Sequence, residues 1–292
     1  MVQVDGIELW AEEFGSPGCP VVLLVMGAQA QGVQWNDGIV RRLVEGGRRV
    51  IRYDHRDTGR SSVVDFAVRP YTVADMASDA LAVLDAFGVE QAHLVGASLG
   101  GIIAQRVAVT DPERVLTLTS LSSQPLGTDT AAMVRRALEG TPPQAGELPP
   151  PSAELLAALA SALPDPEAGP EGHLALRLPL WRVLHGSVLP FEEEEYRAME
   201  LRVYERARDL SAGFNHTLAG AAGGDDTADL VSVTAPTLVL HGTEDPMFPP
   251  AHGEATAAAI PGARLVMIEG LGHTLPTALD ARLAEEILRH TA

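Results

Sequence analysis

Gly96-Ala97-Ser98-Leu99-Gly100 sets a serine midway between two glycines. This G-x-S-x-G spacing belongs to a sharp strand-to-helix turn that exposes the serine Oγ. The glycines have a steric reason, since the serine backbone is strained and its neighbours come too close for a Cβ. A serine hydroxyl is a poor nucleophile until a positioned histidine takes its proton and a carboxylate orients that histidine. In this kind of site the partners follow in the order Ser, Asp or Glu, His. Pro236-Thr237-Leu238-Val239-Leu240-His241-Gly242-Thr243-Glu244-Asp245-Pro246 reads as a strand and a turn that delivers Asp245, and Leu271-Gly272-His273-Thr274 delivers His273. Glu244 is the rival acid, and Asp245 beside Pro246 also suits a plain turn. Ser98, Asp245 and His273 are the expected catalytic triad.

Ester hydrolysis also needs backbone N–H donors for the oxyanion. One comes from the residue after the nucleophile, Leu99. The other comes from the loop after an early strand, Met26-Gly27-Ala28-Gln29, where Ala28 is the choice and Gly27 the competitor. The remaining histidines are read as structural or surface residues: His55 follows a strand, His93 starts one, His173, His185 and His216 lie in the segment between sheet strands, His241 and His252 flank the acid loop, and His290 is in the tail. Asp54, Arg56 and Asp57 form a charge-dense turn, read as structural with Arg56 paired to a neighbouring acid.

Loops can deliver three side chains to one point only if the strands before them are parallel and end together. The runs Pro20 to Met26, Arg49 to Tyr53, Ala92 to Val95, Leu116 to Leu121, Thr237 to His241 and Arg264 to Ile268 read as buried strands. Between them, Asp37 to Glu45, the stretch after Asp75 up to Gly88, and Ile102 to Val109 have helical spacing. The N-terminal MVQVDGIELWAEEFG alternates like a strand. Strands alternating with helices predict an α/β protein with a mostly parallel, doubly wound sheet. With the order of its triad this predicts the α/β-hydrolase fold, with an expected core of residues 1–125 and 230–292. Residues 126–229 hold proline-rich stretches and helical pieces without a convincing central strand, and are expected to form an inserted helical lid.

The 292 residues, 46% of them hydrophobic, suffice for one such domain with an insertion. The charge of −18, with every basic residue an arginine, argues against a nucleic-acid or anionic-membrane partner. Cys19 is the only cysteine, which excludes an intramolecular disulfide and a thiolate metal cluster. No apolar run reaches the ~18 residues of a membrane span, and the N-terminus lacks a signal-peptide layout. A cytoplasmic protein, monomer or small homo-oligomer, is the expectation. No nucleotide loop or zinc-ligand set is present, so no cofactor or metal is implied.

Beyond the triad loops, Val25-Met26-Gly27-Ala28, Ile51-Arg52-Tyr53-Asp54-His55-Arg56-Asp57-Thr58-Gly59-Arg60-Ser61 and Ser187-Val188-Leu189-Pro190-Phe191 resemble the aclacinomycin methylesterase family of the anthracycline pathways. The similarity runs from Gly6-Ile7-Glu8-Leu9-Trp10 to Leu283-Ala284-Glu285-Glu286-Ile287-Leu288. It implies hydrolysis of a methyl ester on a glycosylated aromatic polyketide, with the lid forming part of the pocket. The sequence departs from the family at Ala28-Gln29, where the family has a Gly-Asn pair, and in the proline-rich middle of the lid. Residues that would line such a pocket are Gln29, Trp35, Trp181, Phe191, Met247 and Phe248. The expected function is serine carboxylic-ester hydrolysis of a small-molecule ester. The alternatives are a macrolide or lactone ring-opening esterase, carbon–carbon hydrolase, perhydrolase or lyase chemistry on the same fold, and a non-catalytic ligand-binding module.

Overall fold

The computed structural model describes residues 1–144, 146–162, 168–221 and 227–292. The N-terminal alternation resolves into three short strands. β1 (Val2–Val4) and β2 (Ile7–Leu9) form a hairpin, and β3 (Ala11–Phe14) joins the main sheet. The hairpin closes on Asp5-Gly6, both with positive φ (43° and 79°), the conformation that matches the twist of a two-residue turn.

The apolar runs become β4 (Val21–Val25), β5 (Arg49–Tyr53), β6 (Ala92–Ala97), β7 (Val115–Leu121), β8 (Thr237–Gly242) and β9 (Arg264–Ile268). Their order is β3-β5-β4-β6-β7-β8-β9, with β3 antiparallel and the other pairs parallel. The chain winds outward from β4 to β5, then crosses back to β6 on the other side of β4. That reversal opens a crevice beyond the carboxyl ends of β4 and β6. Val25 lies opposite Gly96 in the register, so the loops after β4 and β6 leave the sheet side by side.

Period-2 alternation divides the sheet's apolar residues between two faces. Leu23, Ile51, Leu94 and Leu118 pack under α2 (Val73–Ala86) and α3 (Leu99–Thr110), through Met76, Val83, Ile103 and Val107. Val22, Leu24, Val95 and Leu240 pack under α1 (Asp37–Glu45) and α10 (Asp280–His290), through Ile39, Leu43, Leu283 and Ile287.

Between β7 and β8 the described residues contain no strand. They contain α4 (Thr130–Leu138), α5 (Ala153–Ser161), α6 (Gly169–His185), α7 (Glu193–Arg206) and α8 (Asn215–Ala221). Leu155, Ala162 and Leu180 give α5 and α6 a small core of their own. The last helix before β9, α9 (Ala251–Ala259), lies against β8.

The charged turn after β5 ties these parts together. Arg56 makes a two-pronged pair with Asp79 of α2, at 2.7 and 2.8 Å, so its acid is a neighbour in space, 23 positions away in sequence. Asp54 accepts from the N–H groups of Gly32 and Arg60 and from Arg206 of α7. Asp57 accepts from the Val64 N–H, the Tyr71 hydroxyl and Asn215 of α8.

Gly100 of α3 closes tightly on the end of β4, where a Cβ would lie 2.1 Å from the Val25 carbonyl oxygen. Gly100→Ala is therefore expected to cost at least ~3 kcal/mol or to prevent folding. Gly18, with open space around it, should tolerate alanine within ~0.5 kcal/mol. Guanidinium denaturation of the two variants checks the contrast.

Candidate active site

Ser98 follows β6 and caps α3 with φ 53° and ψ −121°. Its backbone is held there by its N–H, which donates to Leu121 O (2.9 Å), and its carbonyl, which accepts from Ser123 Oγ (2.7 Å). A Cβ on Gly96 would lie 2.0 Å from Gly100 O, which is why the elbow has glycine on both sides.

Asp245 and His273 arrive at the same point from the ends of β8 and β9. His273 Nε2 is 3.0 Å from Ser98 Oγ, and His273 Nδ1 is 2.8 Å from Asp245 Oδ2. The second oxygen of buried Asp245 accepts from the N–H groups of Met247 (2.9 Å) and Phe248 (2.8 Å). The carboxylate is thereby fixed in orientation, and with it the imidazole tautomer that leaves Nε2 free to accept a proton. The rival Glu244 turns away and accepts from Ser187 Oγ. His241 comes within 4.0 Å of Asp245 but donates from Nε2 to Phe248 O, and burial lowers its pKa, so it stays neutral.

The His273 loop rests on the inserted helices. The His273 N–H donates to Leu184 O of α6 at 2.6 Å, and a Cβ on Gly272 would lie 2.3 Å from the same oxygen.

The loop after β4 makes a tight turn. The Ala30 N–H reaches Gly27 O (3.3 Å), and Gln29 takes φ 63°, the left-handed value required at the third position of such a turn. Two buried histidines brace it. His55 Nε2 donates to Met26 O (2.8 Å), and the Gln29 N–H donates to His216 Nδ1 (3.0 Å). His216 Nε2 in turn donates to Arg56 O (2.8 Å). A single neutral tautomer, protonated on Nε2, satisfies both of the His216 bonds. Burial lowers His216 to about 4 and His55 to about 3, so both are neutral at ordinary pH. The Leu99 N–H opens α3 and has no acceptor within its own helix.

A cavity of about 1630 Å³ lies over this point, walled by the sheet loops below and the inserted helices above. Ser98, His273, Ala28 and Leu99 face it, as do Gln29, Trp181, Met247 and Phe248 of the expected pocket. Trp35 and Phe191 do not. Trp35 is fully buried between the sheet and α1, and Phe191 stacks behind the lining residue Tyr196 with ring centroids 4.6 Å apart. Aromatic residues near a site in sequence are as readily recruited to the core as to the cavity wall.

Sequence reasoning missed Glu200 and the role of His216. Glu200 of α7 is buried in the cavity wall and accepts from His173 (2.6 Å), Arg177 (3.3 Å) and Trp181 Nε1. Burial pushes its carboxyl up, but Arg177, His173 and Trp181 outweigh this and hold it below the ordinary range. An ionised Glu200 therefore fixes the Trp181 ring at the wall. The His216 contact bridges 187 positions and leaves no mark in local spacing.

Residues 20–276 match the model of the α/β-hydrolase fold family, and the chain belongs to that family. It is 41% identical over 291 residues to rhodomycin D methylesterase DauP of Streptomyces sp. (strain C5), and 42% identical to rhodomycin D methylesterase DnrP of Streptomyces peucetius. Each alignment covers 100% of this chain and 97% of the relative. The carboxylic-ester hydrolase expected from the sequence agrees with these relatives. Among solved structures, a hydrolase from Pseudomonas aeruginosa PA01 matches with TM-score 0.72 and 26% identity, covering 99% of this chain and 96% of that one. Est816, described as an N-acyl homoserine lactone degrading enzyme, matches with TM-score 0.67 and 26% identity, covering 99% and 98%. No helix of the described residues is long and apolar enough to cross a membrane.

The two buried histidines have a measurable signature. Their folded pKa values lie below the ordinary ~6.5, so they contribute stability that is complete above that pH and is lost as pH falls towards 4, where the unfolded chain binds the extra protons. In an NMR titration the ring resonances of His55 and His216 should stay fixed from about pH 8 to about pH 5. A midpoint near 6.5 for either would contradict the neutral brace.

Proposed function

We propose that this chain hydrolyses a carboxylic ester through an acyl-enzyme on Ser98, and that its substrate is a methyl ester carried by an aromatic polyketide. The observation that carries the reading is the unbroken hydrogen-bond chain from Ser98 Oγ through His273 to Asp245, opening on a cavity far larger than a short ester needs. The full-length likeness to two rhodomycin D methylesterases supports the substrate class.

In this reading Ser98 Oγ attacks the ester carbonyl as His273 Nε2 takes its proton. The N–H groups of Ala28 and Leu99 hold the oxyanion. His273⁺ then protonates the departing methanol, and water activated by the same imidazole releases the acid. Asp245 stays ionised and stabilises the imidazolium. Gln29, Trp181, Met247 and Phe248 contact the polyketide. Residues 126–229 act as the cap of a core formed by 1–125 and 230–292. The enzyme works in the cytoplasm as a monomer or small homo-oligomer, and the charge of −18 supports a reading without a nucleic-acid partner.

Mass spectrometry of a carbomethoxy-bearing anthracycline, incubated with the enzyme and with Ser98→Ala, tests the proposal beside a p-nitrophenyl ester and a macrolactone. The wild type should demethylate the anthracycline, and Ser98→Ala should lose at least ~10⁴-fold in kcat. Equal turnover by the folded variant would remove Ser98 from its role. Opening of the macrolactone alone would keep the serine mechanism and replace the methyl ester.

A further inference from the structure

We propose that His216 is a positioning residue of the oxyanion site, holding the turn that presents the Ala28 N–H and making that turn depend on the seating of α8. The inference rests on Ser98 as nucleophile and Ala28 as oxyanion donor.

The geometry has three parts. Gln29 carries φ 63° without being glycine, so the turn is not the local minimum of its own sequence. The Gln29 N–H finds its acceptor in a side chain of α8, 187 positions away. That side chain is buried at 1% exposure, and its orientation is fixed by its own Nε2–H on Arg56 O. Met26 O, on the other side of the turn, is held by His55. The peptide groups between Met26 and Gln29 are thus clamped at both ends, with the Ala28 N–H between the clamps. Gly213, just before α8, would place a Cβ 3.1 Å from Gln29 Cα, so the backbone before α8 also closes directly on the turn.

A histidine that only filled space would be replaceable by an apolar residue of similar size. A histidine that holds the turn is replaceable by a residue offering an acceptor at the Nδ1 position, or becomes dispensable when Gln29 is made glycine, which takes positive φ freely. The two roles therefore separate in a short set of variants: His216→Leu, His216→Asn and the double variant His216→Leu with Gln29→Gly, assayed for kcat and KM on a p-nitrophenyl ester. Full loss of one oxyanion donor costs about 10²–10³ in kcat. A misaligned one in His216→Leu should cost about 10- to 100-fold, with KM within about 3-fold. His216→Asn, whose amide oxygen replaces Nδ1 as acceptor, should recover most of that loss, and adding Gln29→Gly to His216→Leu should recover at least about tenfold.

An unchanged kcat in folded His216→Leu overturns the proposal, and so does a double variant no better than the single one. Amide hydrogen exchange at Gln29, faster in His216→Leu and slow again in His216→Asn, reads the turn without any turnover. If the ester-hydrolase reading failed, with Ser98→Ala as active as wild type, this exchange contrast would still decide whether His216 holds the turn.

Discussion

The contact between the first turn of α3 and the end of β4 sets the spacing of everything at the site. Gly100 lies against the Val25 and Met26 carbonyls, where a Cβ would come within 2.1 and 2.6 Å, so no larger residue could bring helix and strand this close. That approach puts the Leu99 N–H beside the loop that follows β4. Ser98 has φ 53° as a consequence, a conformation that costs of order 1–3 kcal/mol. Hydrogen bonds to Leu121 and Ser123 on β7 and just after it oppose the strain. Ser98 is therefore positioned by its backbone, braced from β7 and by the Ser123 side chain, and His273 needs only to reach it.

The turn after β5 does the corresponding work for the other side of the site. Asp54, His55, Arg56 and Asp57 are all nearly inaccessible, and burying such polar residues is costly unless they are bonded; each has at least one partner, although His55 Nδ1 has none. Each side chain holds a different neighbour: the loop after β4 through Gly32 and Met26, α2 through Asp79, and the inserted helices through Arg206 and Asn215. Polar burial here fastens the loop after β4, α2 and the inserted helices at one turn. A hydrophobic turn could not do this, because apolar contacts fix distance but not the direction of a backbone N–H or C=O.

The strands, α1 and the three triad side chains were legible because each is written in local spacing. A run of five to seven mostly apolar residues between turn formers specifies a buried strand, and G-x-S-x-G carries its own steric reason. Alternation alone predicts a single N-terminal strand, because it does not show that Asp5-Gly6 adopts positive φ and folds the chain back. Trp35 and Phe191 lie outside the cavity wall that the sequence predicts for them, because an aromatic residue has no local mark to distinguish core from cavity wall. His216 and Glu200 were passed over for the opposite reason: their partners lie on other elements, so nothing near them in sequence gives their purpose away.

The inserted helices stand in a different relation to the sheet than a separable cover would. Leu184 O accepts from the His273 N–H, Ser187 holds Glu244 beside the acid, Ser152 N–H reaches Pro246 O, and His216 holds Gln29. Backbone or side-chain bonds therefore run from this segment to the loops bearing His273, Asp245 and Gln29, while the Ser98 backbone is held by Leu121 of β7 and by Ser123 just after it. A shift of α6 or α8 would move groups on the reacting side of the cavity, not merely widen its mouth. The cavity roof and the loops that carry Asp245, His273 and Gln29 are joined through these four hydrogen bonds. In a protein whose sheet supplies a prepositioned serine, it is the seating of the inserted helices that completes the constellation around it.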